Sequence, residues 1–191
     1  MTNGLDAFKV LLKEYRGLSV WSIGSGLAVP FAAKLADLSP PWPSGIVPVT
    51  AVVELLALAL TFQLLQASTR RRVINSLLLV NVTIFVVAGM AYLVALSLFT
   101  YQVPTTNERF VKGYECTREA EAVFKNRCPD LGLDELQTAE YEAERLWTRK
   151  SITITRAGIV FLWSLVFASL SVGLGAFLFY QMRPKRRRAP A

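Results

Sequence analysis

Long apolar stretches alternate with short charged segments along the chain. Three stretches are strongly apolar, at about residues 46–66, 73–100 and 152–182, and the charged residues inside them are Glu54 and Arg156. A helix needs roughly 20 apolar residues to cross about 30 Å of hydrocarbon. The pattern therefore predicts three transmembrane helices, called spans two, three and four below.

A fourth stretch, at about residues 18–36, is interrupted by Gly24 and Pro30 and ends near Lys34. A cleaved signal peptide is the alternative interpretation, because basic residues precede it. However, residues 5–15 place apolar side chains at helical spacing opposite Lys9 and Lys13, which is typical of an interfacial amphipathic helix. We therefore expect a retained first span.

The segment Ser39-Pro40-Pro41-Trp42-Pro43-Ser44-Gly45 separates spans one and two. Its three prolines cannot continue a helix, so a tight turn is predicted. Trp42 in this turn, and Trp147 just before span four, are predicted to anchor the chain in the headgroup layer.

Basic clusters set the expected orientation. Of the 21 Lys and Arg residues, eleven flank the spans: three before span one, three between spans two and three, and five after span four. With four crossings these clusters share one side, which the positive-inside rule identifies as the cytoplasm. The basic residues predicted to set the topology or to bind a partner are Arg70, Arg71, Arg72, Lys185, Arg186, Arg187 and Arg188.

The loop between spans three and four lies outside the membrane in this topology. Both cysteines of the chain, Cys116 and Cys128, fall in it, as expected if they pair in an oxidising compartment. The alternative is two free thiols in a cytoplasmic loop. Two short helices are predicted, one within residues 113–127 and one from Asp134 to about Trp147, with Asp134 and Gln137 resembling a capping box.

These observations predict an all-α membrane protein: a four-helix transmembrane bundle with a small, disulfide-stapled, helical extracytoplasmic loop domain. The expected segments are an interfacial segment at 1–17, spans one to three within 18–100, the loop domain at 101–151, span four at 152–182 and a basic cytoplasmic tail at 183–191.

Composition excludes several function classes. The chain has no histidine, which removes the commonest general base and metal ligand, and two cysteines cannot complete a four-ligand zinc site. No nucleotide-binding loop or catalytic set is evident, so we expect a non-enzyme without metal or cofactor. The net charge of +7 is explained by membrane orientation better than by nucleic-acid binding.

Charged residues inside spans are expensive and often functional. Glu54 lies about 12 Å below the start of span two at 1.5 Å per residue, and Arg156 lies about one turn inside span four. Two interpretations stay open: a structural ion pair that fixes helix register, or a gating pair that lines a pore in an oligomer.

Small residues form one face of span four, at spacings of four, three and four. They are Ser164, Ala168, Ser171 and Gly175. Small side chains let helices approach closely, and the partner is either another span of the same chain or a second copy.

The segment Arg145-Leu146-Trp147-Thr148-Arg149-Lys150-Ser151-Ile152, preceded by Cys128-Pro129-Asp130-Leu131, resembles small uncharacterised bacterial four-span proteins associated with anti-phage defence systems. The resemblance implies a bacterial inner-membrane protein, and the basic clusters place both of its termini in the cytoplasm. The resulting hypothesis is a self-associating, non-enzymatic permeability effector or sensor for which the lipid bilayer and further copies of the chain are partners. The alternative is a structural adaptor that recruits a cytoplasmic protein through the tail and the Arg70–Arg72 loop.

Overall fold

The computed structural model describes residues 28–67, 71–104, 108–125 and 127–182, and is mostly helical. Residues 28–35 are helical. The later elements are helix α1 (Ile46–Ala67), helix α2 (Arg71–Phe99), strands β1 (Thr100–Gln102) and β2 (Arg109–Val111), and helices α3 (Arg118–Val123), α4 (Leu133–Thr138), α5 (Ala143–Leu146) and α6 (Arg149–Met182).

Three of these helices are long and apolar enough to cross a membrane: Ile46–Leu65, Arg72–Phe99 and Arg149–Tyr180. They confirm predicted spans two, three and four as membrane-length apolar helices. The amphipathic segment 1–17, residues 18–27 of the first span, Arg70 and the tail 183–191 lie outside the described residues, so the fourth crossing and the orientation stay predictions.

The chain forms two compact units. In its described parts, the first, which we call the span unit, comprises residues 28–39, 47–86 and 165–182. The second, the loop unit, comprises residues 40–46 and 87–164. The loop unit thus contains the carboxyl-terminal part of α2 and the amino-terminal part of α6, together with the segment that connects them.

In the span unit, α1 packs one face, made of both polar and apolar residues, against α6. Glu54, Leu58, Thr61 and Leu65 are buried at spacings of four, three and four, which places them on one face of a helix. Gly175 of α6 approaches this face so closely that an added Cβ would lie 3.1 Å from side-chain atoms of both Leu58 and Thr61. The small residue at position 175 therefore serves packing within the chain.

The part of α2 in the span unit presents large apolar side chains outward. Leu79 is 70% exposed, and Val80, Val82 and Val86 are at least half exposed. In water such a surface would promote aggregation, whereas in a bilayer it is the surface that contacts lipid. The exposed apolar face therefore agrees with the length and composition of this helix.

The core of the loop unit surrounds Trp147, which is fully buried with 0% exposure. Its indole Nε1 donates a hydrogen bond of 3.1 Å to the Pro129 carbonyl oxygen, and its backbone pairs with Cys116 in an isolated antiparallel bridge. A side chain enclosed in this way cannot reach lipid headgroups, so the predicted role of Trp147 as an interface anchor is wrong. Trp42 is 49% exposed, and its headgroup location stays a prediction.

Two further features of the loop unit differ from expectation. Strands β1 and β2 form a two-stranded antiparallel sheet in which Tyr101 is opposite Phe110, where the sequence predicted helices alone. The predicted second helix is divided into α4 and α5. Glu140 and Tyr141, between them, have φ of 57° and 62°, a left-handed conformation that cannot continue an α-helix.

Helix α4 also starts differently from the prediction. Its N-cap is Gly132, and the side chain of Glu135 accepts a hydrogen bond of 2.9 Å from the Gly132 backbone N–H. The pair Asp134 and Gln137 therefore does not form the capping box that the sequence suggested. The predicted disulfide is confirmed, since Cys116 and Cys128 are bonded across a sequence separation of 12. It joins the segment before α3 to the segment before α4.

Candidate functional site

The side chain of Glu54 is the most unusual polar group of the span unit. Glu54 lies in the middle of α1 and is 3% exposed. Among the described residues, neither of its carboxyl oxygens makes a contact that meets hydrogen-bond geometry, and the polar group that acts on the carboxyl is the Ser171 side chain. Burial of a polar group without a hydrogen bond costs free energy, so this carboxyl group does not stabilise the span unit.

The surroundings of Glu54 are built from α1 and α6. The side chain of Ser171 on α6 lies beside the carboxyl group, and Ser171 is itself buried. One turn before Glu54 on the same helix, Thr50 is 3% exposed. A short polar track therefore runs through the apolar packing of this unit.

Hydroxyl groups elsewhere in the spans bond to their own helix. Thr61 donates to the Ala57 carbonyl oxygen at 2.7 Å, and Ser164 donates to the Val160 carbonyl oxygen at 2.8 Å. The Asn81 amide donates to the Leu77 carbonyl oxygen at 2.9 Å. These polar groups are satisfied locally, as is usual for membrane helices, and Glu54 differs from them.

Arg156, the second predicted site residue, belongs to the loop unit. Its Nε is buried and has no hydrogen-bond partner among the described residues, and the side chain lines a cavity. Glu54 and Arg156 belong to different units, and their predicted pairing stays a prediction.

The small residues of α6 are likewise distributed between the two units. Ser171 and Gly175 are buried in the span unit, whereas Ser164 lies in the loop unit. Ala168 is half-buried. The sequence left open whether this face packs against a span of the same chain or against a second copy. At Gly175 the neighbouring helix is α1 of the same chain.

The aromatic residues of the cavity were missed by sequence reasoning. The Tyr101 hydroxyl donates to the Tyr141 carbonyl oxygen at 3.1 Å, and the Tyr101 ring stacks on Phe110 with centroids 5.8 Å apart. Burial raises the pKa of Tyr101 to about 12, although the nearby Arg156 guanidinium acts in the opposite direction. No local signal links these residues, because the hydrogen bond spans 40 positions of the chain.

Among the described residues, no group of three or more Cys, Asp or Glu side chains is arranged to hold a metal ion. Comparisons with protein-family models, with curated proteins and with solved structures find no match for this chain. The candidate sites therefore rest on their own geometry.

Proposed function

We propose that this chain is a non-enzymatic, four-span protein of the bacterial inner membrane that alters membrane permeability or senses its perturbation. Both termini would lie in the cytoplasm, and the disulfide-bonded loop would lie outside it. Three membrane-length helices and a disulfide confined to one loop support this arrangement. A role in anti-phage defence is proposed on the sequence resemblance alone.

The observation that carries the proposal is the buried, unpartnered carboxyl group of Glu54. Acidic residues within spans commonly mark ion or proton pathways. A structural role in fixing helix register would need firmer bonds than the contact with Ser171, which does not meet hydrogen-bond geometry. The contacts of Glu54 therefore favour the functional interpretation over the structural one.

The geometry also suggests how the site would work. Glu54 is enclosed between α1 and α6, beside Ser171, rather than at a wide opening. We therefore assign the structure to a closed state, and separation of α1 from α6 would bring water to the carboxyl group. Self-association of several copies would then supply the continuous path that a single narrow bundle cannot.

The test is a comparison of membrane potential in cells that express the wild type, Glu54→Gln or Glu54→Leu. Thr61→Val is the matched control, because Thr61 is buried on the same face but is satisfied within its own helix. We expect the wild type to depolarise the membrane, Thr61→Val to behave similarly, and both Glu54 variants to differ from the wild type. An unchanged potential for all four proteins at equal membrane abundance would refute the proposal.

The adaptor alternative predicts a different pattern. In that case the potential would be independent of Glu54, and a complex with a cytoplasmic protein would be lost after deletion of residues 183–191 or neutralisation of Arg70, Arg71 and Arg72. Mass photometry of the protein in nanodiscs gives a second test. A stable monomer would contradict a continuous path formed by several copies.

A further inference from the structure

A cavity of about 670 Å³ lies within the loop unit. This volume falls within the range of small-molecule sites, which is roughly 300–1,000 Å³. Three aromatic residues line it, namely the buried Tyr101, the 37% exposed Phe110 and the half-buried Tyr141. The cavity therefore combines the size of a ligand site with aromatic walls.

Arg156 brings a positive charge to this cavity. Its guanidinium lines the cavity, and its buried Nε has no hydrogen-bond partner among the described residues. A guanidinium donates two parallel hydrogen bonds to a carboxylate or phosphate group. The cavity thus offers a binding group for an anion.

The rest of the cavity lining carries an excess of negative charge. Four glutamates line the cavity: Glu108, Glu140, Glu142 and Glu144. Glu140 and Glu142 are both paired with the same arginine, Arg145, at 3.2 and 2.6 Å. Two carboxylates that share one guanidinium retain a net negative charge. With the aromatic rings beside them, they suit an ammonium group, which binds both carboxylates and π-faces.

The backbone holds these groups in place. Glu140 and Tyr141 have φ of 57° and 62°, and the Tyr141 carbonyl oxygen is fixed by the Tyr101 hydroxyl at 3.1 Å. A left-handed conformation at two successive residues other than glycine costs free energy, and such conformations cluster at binding sites. The strained turn therefore presents two of the lining residues in a defined geometry.

The position of Arg156 on α6 bears on the source of the ligand. The helix has 34 residues, so it is about 50 Å long and exceeds the hydrocarbon thickness by about 20 Å. Arg156 lies about 10 Å from the start of the helix at 1.5 Å per residue. A helix of this length can place Arg156 near the headgroup layer, where zwitterionic lipids and free solutes are both present.

We propose that this cavity binds a zwitterion whose carboxylate or phosphate contacts Arg156 and whose ammonium group contacts Glu140 and Glu142 beside the aromatic wall. An aminophospholipid headgroup and a free amino acid share this chemistry. The inference does not depend on the role of Glu54.

Full-length protein in nanodiscs and in detergent tests the proposal. Soluble probes, phosphoethanolamine and phenylalanine, are titrated by calorimetry into nanodiscs of phosphatidylglycerol, because this headgroup carries no ammonium group. Lipid binding is measured by native mass spectrometry in detergent with phosphatidylethanolamine or phosphatidylglycerol added. Arg156→Gln removes the charge, and Arg118→Gln is the matched control because Arg118 is exposed and does not line the cavity.

We expect one or both ammonium-bearing classes to bind, and Arg156→Gln to weaken binding at least tenfold, the loss typical of a charge-assisted hydrogen bond. Arg118→Gln should bind like the wild type. Binding of the soluble probes identifies a free solute as the source, and binding of phosphatidylethanolamine alone identifies a lipid headgroup. Absence of binding by both, equal binding of phosphatidylglycerol, or unchanged affinity in Arg156→Gln would each overturn the proposal.

Loss of folding is excluded in parallel by the near-ultraviolet circular dichroism of the buried aromatic residues, which include Trp147 and Trp163. If Arg156→Gln fails to fold, Arg156→Lys and Phe110→Leu take its place. The lysine variant keeps the charge but loses the bidentate geometry, and the leucine variant removes an aromatic wall. Unchanged affinity in both would equally contradict the zwitterion site.

Discussion

Gly113 lies directly against Trp147. A Cβ added at Gly113 would lie 2.5 Å from the Trp147 Cβ, and it would also collide with the Ser151 hydroxyl. Because Trp147 is fully buried at the centre of the loop core, neither neighbour can move without disturbing the packing. The segment before the first cysteine is therefore held against the start of α6 by the absence of a side chain.

Gly113→Ala should destabilise the loop unit by about 1–3 kcal/mol, the usual cost of inserting an atom into a packed core. Thermal unfolding followed by tryptophan fluorescence, in a variant whose other three tryptophans are replaced by phenylalanine, measures this change at Trp147. Gly158→Ala is the control, because an added Cβ there meets nothing within 4 Å and alanine favours a helix interior. Equal unfolding temperatures for Gly113→Ala and the wild type would show that this contact is not tight.

Replacement of both cysteines by serine should lower the stability of the loop unit by about 3 kcal/mol, because the cross-link closes a short loop and restricts the unfolded chain. Cys116 and Cys128 are the two residues of this bond. Unfolding is measured with and without reductant. Reductant should destabilise the wild type and leave the double variant unchanged, and insensitivity of the wild type would contradict a stabilising bond.

Acid should weaken the loop unit through Glu135. A hydrogen bond of 2.6 Å from Arg127 lowers the pKa of this carboxyl group below its ordinary value, with help from backbone N–H groups that include that of Gly132. A depressed folded-state pKa gives stability that is present above the unfolded-state value, about 4.3, and is lost as the pH falls through the folded-state value.

Glu135→Gln should therefore flatten the dependence of stability on pH below about 4.5. The difference from wild type should be about 1 kcal/mol or less, because Arg127 is 72% exposed and solvent screens the pair. Unfolding midpoints at pH 3, 4, 5 and 7 measure it. Glu121→Gln, at an exposed position on α3, is the control and should follow the wild type; a parallel profile for Glu135→Gln would exclude the mechanism.

Glu54→Leu should raise the stability of the span unit by about 1–3 kcal/mol, the usual penalty for an unsatisfied buried polar group. The reason is that neither oxygen of Glu54 has a hydrogen-bond partner among the described residues. Unfolding in a mixed detergent series, followed by circular dichroism, measures the change. Thr61→Val should change little, and a lower stability of Glu54→Leu would reveal a structural bond.

Three spans were predictable from sequence because the bilayer imposes a local rule. A helix must supply about 20 apolar residues in succession, and this rule depends on no distant contact. The disulfide was predictable for a similar reason, since the chain has two cysteines and both fall in one loop. Glu54 and Arg156 stood out because a charge within an apolar stretch is visible in the sequence.

Tertiary structure decided what surrounds these residues. Trp147 is a residue type, at a position, expected of an interface anchor, yet it is buried in the core, where it makes one hydrogen bond to Pro129, 18 residues away. The break at Glu140 and Tyr141 coincides with a hydrogen bond from Tyr101, 40 positions away on a strand. The unpartnered state of Glu54 likewise depends on which residues of α6 face it. Hydropathy and cysteine placement act within one segment, whereas burial and hydrogen bonding depend on which distant segments meet, and a single sequence does not encode that pairing in any local pattern.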